Sequence, residues 1–276
     1  MEFVKMQATG NDYVYAEESE TGGRDLPELA REISDRRTGV GGDGLIVLSR
    51  AGEGEREYDL SMRVFNADGS EGEICGNGVR CAAKLAYERL GVRVNPMRVR
   101  TKAGVRSVRM IESEGKVLCA EAEMGRPRPL PLGAERERRL QEVGLSVDFF
   151  RIFPIDAGNP HLVVFDEEDR SLLMLGRLCE SSGAFPDGVN VEQVRRIPGG
   201  FSVRVLERGS GETFSCGSGA VAVAFAALRS GRVGEEEGRR GICVGMRGGR
   251  LQVRFEGETA FLRGKIEEVF TGRYEI

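Results

Sequence analysis

At 276 residues, 40% hydrophobic and 30% charged, the chain is long enough for two domains, or one large α/β domain, with a sizeable core. Its net charge of −4, with arginines interleaved among glutamates, argues against a nucleic-acid partner and against attraction to a membrane. The longest apolar run, Ala220 to Leu228, is too short to span a bilayer, and Met1 to Glu18 has no signal layout, so the expectation is a cytoplasmic protein.

In chain order, Phe3 to Glu17 predicts strand–turn–strand with Gly10-Asn11-Asp12 as the turn, and Asp25 to Arg37 an amphipathic helix. The glycine loop Gly39 to Gly44 leads into a strand, Leu45 to Leu48. Leu60 to Asn66 is the next strand, followed by the turn Ala67 to Ser70. Cys75-Gly76-Asn77-Gly78 then opens a helix, Val79 to Leu90, closed by Gly91. Val99 to Met110 and Lys116 to Met124 read as strands. Pro127, Pro129 and Pro131, followed by a short helix from Ala134 to Gly144, mark the domain crossing.

The second half restarts the programme. Phe153 to Phe165 is strand–turn–strand around Gly158-Asn159-Pro160, Ser171 to Cys179 is helical, and Gly188-Val189-Asn190-Val191 opens a strand. Phe201 to Glu207 is a strand, Arg208 to Gly211 a turn, and Cys216-Gly217-Ser218-Gly219 opens a helix, Ala220 to Ser230. Ile242 to Val244, Leu251 to Phe255, Thr259 to Leu262 and Ile266 to Tyr274 close the chain as strands. Asn11, Asp43 and Cys75 recur as Asn159, Asn190 and Cys216, in order and at nearly matched spacing, which suggests two homologous halves.

Both Cys-Gly segments set a thiol at a helix N-terminus, where backbone N–H groups bind anions and lower a thiol pKa. Glycines are poor helix formers, and their use at a helix start is close approach of backbone to a ligand. Gly39-Val40-Gly41-Gly42-Asp43-Gly44 matches G-x-G-x-x-G, but a helix precedes it and a strand follows, the reverse of a dinucleotide site. The six cysteines have no zinc or disulfide spacing; Cys119, Cys179 and Cys243 read as core residues. A lone histidine, His161, excludes multi-histidine metal sites, and no metal is expected. His161 sits where a turn meets a strand, and Glu207 and Arg208 lie beside the second Cys-Gly helix. Such positions often carry chemistry.

The ordered motifs resemble the diaminopimelate epimerase family, a group of pyridoxal-phosphate-independent amino-acid epimerases, over essentially the whole chain. They are Thr9-Gly10-Asn11-Asp12-Tyr13, Gly41 to Leu45, Phe65 to Ser70, Cys75 to Cys81, Gly158 to His161, Val189-Asn190-Val191, Glu207 to Thr213 and Cys216 to Gly219. The resemblance implies an α/β (α+β) fold of two pseudo-symmetric domains. Each would be a mixed β-barrel-like sheet around a central helix, with the active site in the interdomain cleft. The first half would be 1–122, with strand 265–276 returning to it, and the second 123–264. It further implies epimerisation of L,L-diaminopimelate to the meso form, without cofactor, in lysine and peptidoglycan-precursor biosynthesis. A small amino acid would be the partner molecule, and a homodimer is the family's suggestion.

Carried over by motif, Cys75 and Cys216 match the acid/base pair, which His161 and Glu207 would assist. Gly76-Asn77 and Gly217-Ser218 match the pairs that hold the reacting carboxylate. Asn11, Asn66, Asn159, Asn190, Glu207 and Arg208 match substrate-binding positions. Gln7 departs from a common histidine, Gly44 from a glutamine that touches substrate in some members, and Ser218 from a frequent threonine. A racemase of the same fold acting on proline or histidine is the alternative, disfavoured by Arg208 and the asparagines, which suit a zwitterionic distal group. A non-enzymatic carboxylate-binding or redox-sensing protein is a third reading.

Overall fold

The computed structural model describes residues 1–145, 151–166 and 171–276. The fold is mixed α/β and dominated by strands, and the chain divides into two compact units, Met1–Glu123 with Arg263–Ile276, and Met124–Leu262. Among the described residues no helix is long and apolar enough to cross a membrane.

The first unit begins with an antiparallel hairpin, β1 (Glu2–Ala8) and β2 (Asn11–Glu17). Its turn is Thr9-Gly10, both at positive φ (52° and 83°), as a two-residue hairpin loop demands. Asn11 therefore opens a strand and is not part of the expected turn. Helix α1 (Leu26–Ser34) is capped by Asp25, which accepts from Glu28 N at 2.9 Å. It ends before the expected Arg37, because Asp35 leaves the helix and its side chain accepts from Arg37 N and Thr38 N. Then follow β3 (Gly44–Arg50), β4 (Leu60–Asn66), β5 (Glu71–Gly72), α2 (Gly76–Glu88), β6 (Met97–Thr101), β7 (Gly104–Ser113) and β8 (Lys116–Gly125). The single strand expected over Val99 to Met110 is two. The chain folds back after Thr101, with Gly104 at φ 97° beginning the return, and β6 pairs antiparallel with β7.

The second unit contains β9 (Arg128–Pro129), α3 (Ala134–Glu142), β10 (Ile152–Asp156), β11 (Pro160–Phe165), α4 (Leu172–Ser182), β12 (Asn190–Ile197), β13 (Gly200–Glu207) and β14 (Gly211–Thr213). It continues with α5 (Gly217–Arg229), α6 (Glu235–Arg240), β15 (Ile242–Met246) and β16 (Gly249–Glu256); β17 (Thr259–Lys265) begins in this unit and its last three residues belong to the first. The polar α6 carries no apolar periodicity and was not visible in the sequence. The last strand, β18 (Glu267–Arg273), lies antiparallel to β1.

The pairing scheme repeats. The pairs β1–β2 antiparallel, β2–β3 parallel, β3–β4 and β4–β5 antiparallel, β4–β6 parallel and β6–β7 antiparallel recur as β10–β11, β11–β12, β12–β13, β13–β14, β13–β15 and β15–β16, with the same senses. In each unit one helix packs against the strands around it: α2 against β1, β2, β3, β4, β6 and β7, and α5 against β10, β11, β12, β15 and β16. Such a helix must be apolar on nearly every side. Ala220 to Ala224, Ala226 and Ala227 are accordingly buried, as are Val79, Cys81, Ala82, Ala83 and Ala86 in α2. Small side chains let the strands approach the helix, so its N-terminus is held at a fixed place at one end of each sheet.

Candidate active site

Each central helix starts on a cysteine. Cys75 is the N-cap of α2 in an extended conformation, and its Sγ accepts from Gly78 N at 3.2 Å. Cys216 caps α5 in the same way, with Gly219 N at 3.4 Å. Sulfur thus takes the place of the usual N-cap oxygen and lies in the positive field of the helix end. Val79 N and Ala220 N close the first turns on the cysteine carbonyls. The residues expected to hold a carboxylate, Gly76-Asn77 and Gly217-Ser218, head the two helices, where N–H groups have no intrahelical acceptor.

In the first unit the Cys75 thiol donates to Asn11 Oδ1 at 3.3 Å. The other end of that amide, Nδ2, donates to Asp43 Oδ2 at 2.7 Å, and Asp43 also accepts from Asp12 N and Arg36. Asn11 and Cys75 are therefore brought together, with Asp43 of the glycine loop behind them. Asn66, exposed at the end of β4, donates to Ser70 Oγ at 3.0 Å. Arg80 was not anticipated. It is fully buried in α2; Nε donates to Gly76 O, Nη2 to Asn77 Oδ1, and Nη1 makes no hydrogen bond. Burial holds its pKa below the ordinary value. Its grip on Gly76 and Asn77 is a reason for a fully buried charge in this helix, whose other charged residues, Lys84 and Glu88, are only half-buried and pair with each other.

In the second unit His161, Glu207 and Cys216 cluster with a residue the sequence reading missed, Glu192. His161 Nδ1 lies 2.6 Å from Glu192 Oε1, and Nε2 lies 2.8 Å from Asn159 Oδ1. One donor atom each of His161, Glu192 and Cys216 falls within 4.8 Å of the others. These residue types could ligate an ion, but the nitrogen and carboxylate oxygen are at hydrogen-bond distance, too close for two ligands of one zinc. Glu207 accepts from Thr213 Oγ1, and its carboxylate interacts with Cys216. Burial pushes its carboxyl above the ordinary range. Asn190, buried, spends its amide on backbone: Nδ2 donates to Pro160 O at 3.0 Å and Oδ1 accepts from Arg208 N at 2.9 Å. The exposed Arg208 side chain donates to Asp187 O.

The expected lowering of the thiol pKa at a helix start is reversed at Cys216. Burial, then the carboxylates of Glu207 and Glu192, push it well above 9, against the lesser pull of Ser218 and Gly219 N. Desolvation of a thiolate outweighs the field of one helix end. Cys179 is a buried core thiol, pushed up to about 12 by burial, whereas Cys119 and Cys243 are half-buried strand residues.

A family model for diaminopimelate epimerase matches residues 3–129 and 153–271. A diaminopimelate epimerase from Pelotomaculum thermopropionicum is 38% identical, with 99% of each chain covered. One from Caldanaerobacter subterraneus is 38% identical over the whole of both chains, and one from Methanococcus maripaludis 33%. Among solved structures, a phenazine biosynthesis protein of the PhzF family from Bacillus anthracis superposes with a TM-score of 0.72 at 16% identity, covering 100% of this chain and 99% of that one. A probable proline racemase from Agrobacterium radiobacter gives 0.67 at 13%, covering 100% and 93%. At such identities these structures share the fold alone.

Proposed function

The chain belongs to the diaminopimelate epimerase family and is an isomerase; we propose that it converts L,L-2,6-diaminopimelate to the meso form by a two-cysteine acid/base mechanism. The carrying observation is that both thiols cap the central helix of a repeated unit, each beside an asparagine or an acid/base cluster.

Epimerisation takes a proton from one face of Cα and returns one to the other, so one group must accept while another donates. Cys75 and Cys216 fill these roles. Burial and two carboxylates keep Cys216 in the thiol form that a donor requires. The Cα proton is weakly acidic, and the developing charge needs donors on the α-carboxylate, a task that suits the N–H groups heading α2 and α5. Those dipoles are fixed before reaction, because each helix is locked inside its sheet. Asn11, Asn66, Asn159 and Asn190 orient the substrate. Arg208 takes the distal carboxylate, for which a planar guanidinium offers paired donors. The reaction runs in the cytoplasm and feeds lysine and peptidoglycan-precursor synthesis.

The test is α-deuterium uptake in D2O without pyridoxal phosphate, with L,L-diaminopimelate and with proline supplied separately. Uptake with diaminopimelate alone is expected, together with loss of turnover and retained fold in Cys75→Ala and Cys216→Ala. A single alanine variant epimerising at the wild-type rate overturns the two-thiol mechanism; uptake with proline alone overturns the substrate.

A further inference from the structure

Glu192 enters the mechanism above only through its charge beside Cys216, yet its side chain and that of His161 are both 0% exposed. Oε1 meets His161 Nδ1 at 2.6 Å, while Oε2 is buried without a hydrogen-bond partner. A carboxylate in that state is costly, and packing alone favours an apolar residue of the same size.

The first unit provides the comparison. In register, Tyr13 lies opposite Gly44 across β2 and β3, as His161 lies opposite Asn190 across β11 and β12. Two residues further along these strands stand Ile46 and Glu192. Both press on the same point of the central helix: a Cβ on Gly78 would come 2.7 Å from Ile46 Cδ1, and one on Gly219 would come 2.6 Å from Glu192 Oε1. The floor beneath the thiol is thus apolar in one unit and ionic in the other. Ile46 shows that the fold accepts an aliphatic side chain there, so the carboxylate answers a need that packing does not impose.

We propose that Glu192 is a positioning residue of the second thiol site, fixing the proton on Nδ1 of His161 and thereby holding Nε2 on Asn159. A carboxylate only accepts, and so does the Asn159 carbonyl oxygen, so the ring must present N–H at both Nδ1 and Nε2. The imidazole cannot then turn over, and the Asn159 amide is anchored through Oδ1, which leaves its Nδ2 to act outward. The arrangement follows the logic of an orienting carboxylate behind a histidine beside a nucleophilic residue. Its catalytic meaning rests on the function proposed above; its geometry does not.

His161 is the single histidine of the chain, so protein labelled with ring-15N histidine gives one imidazole spectrum. Long-range 1H–15N correlation is expected to show a proton on Nδ1 in the wild type. It should show loss of that fixed proton in Glu192→Ile, which inserts the side chain found in the first unit, and its return in Glu192→Asp. The kcat/KM for diaminopimelate should fall at least tenfold in Glu192→Ile and recover in part in Glu192→Asp, with circular dichroism unchanged. A wild-type ring without a proton on Nδ1, an unchanged ring in Glu192→Ile, or unchanged kcat/KM in that variant overturns the proposal. Wild-type protein that exchanges no α-proton overturns the functional reading instead, and the ring spectrum still decides the geometry.

Discussion

The Cys75 thiol meets the carbonyl end of Asn11, at 3.3 Å, because the amino end of the same amide is committed to Asp43 at 2.7 Å. Asp43 accepts only, so it admits the NH2 group and turns Oδ1 toward sulfur. Arg36 and Asp12 N hold Asp43 in turn. The glycine loop that imitates a nucleotide motif therefore serves the first thiol. Asp43→Asn removes the preference and allows the Asn11 amide to flip. We expect kcat/KM to fall about tenfold, roughly the worth of one hydrogen bond, with little change in melting temperature. Exchange kinetics beside a thermal melt check this; an active, stable variant removes Asp43 from the site.

Buried thiols set an alkaline limit on stability. Burial pushes Cys81 and Cys179 from 9 up to about 12. The folded state therefore binds protons more tightly than the unfolded chain. The stability from these groups is full below about pH 9 and is lost as pH rises toward 12, by up to about 1.4 kcal/mol per pH unit for each thiol. Urea unfolding measured at several pH values above 9 should show this decline, shallower in Cys81→Ala. A stability independent of pH across that window contradicts the assignment.

Arg208 is positioned by the loop before β12. Gly188 has φ +77°, and a Cβ there would lie 2.7 Å from Arg208 Cδ. The guanidinium also donates to Asp187 O at 2.8 Å. Gly188→Ala strains the turn and displaces the arginine stem. If Arg208 binds the distal carboxylate, KM for diaminopimelate should rise severalfold with a smaller change in kcat. Steady-state kinetics separate the two; an unchanged KM argues that Arg208 lies away from the substrate.

Much of this site was legible because its parts are local in sequence. A cysteine followed by spaced glycines and an alanine-rich run specifies a capped, buried helix, and asparagines at strand ends recur in order around it. Glu192 was not legible. In Asn190-Val191-Glu192-Gln193-Val194 an alternating reading puts Glu192 outside, but all five residues are buried. Only the parallel register of β11 and β12 shows why, by setting the carboxylate beside His161. Arg80 was hidden likewise, since its task is to hold the backbone one turn back, on the buried side of the helix. The pKa of Cys216 was misjudged because a helix start is visible in sequence and desolvation is not.

Gly78 and Gly219 occupy matching places in the first turn of the two helices, and the side chains facing them make their substitutions unequal. Alanine at either site gains helix propensity of up to about 1 kcal/mol, and each new Cβ lies 3.2 Å from the cysteine Cβ. These shared effects cancel in the comparison. What differs is that Gly78→Ala displaces the flexible tip of Ile46, whereas Gly219→Ala drives into Glu192 Oε1, the atom bonded to His161 Nδ1. An isoleucine methyl can rotate aside within an apolar core. The carboxylate cannot move without breaking a buried charge-assisted hydrogen bond. We therefore expect Gly219→Ala to lose at least tenfold more kcat/KM than Gly78→Ala while both retain the folded circular dichroism spectrum. Equal losses would mean that the carboxylate beneath the second thiol serves no purpose that an aliphatic side chain does not.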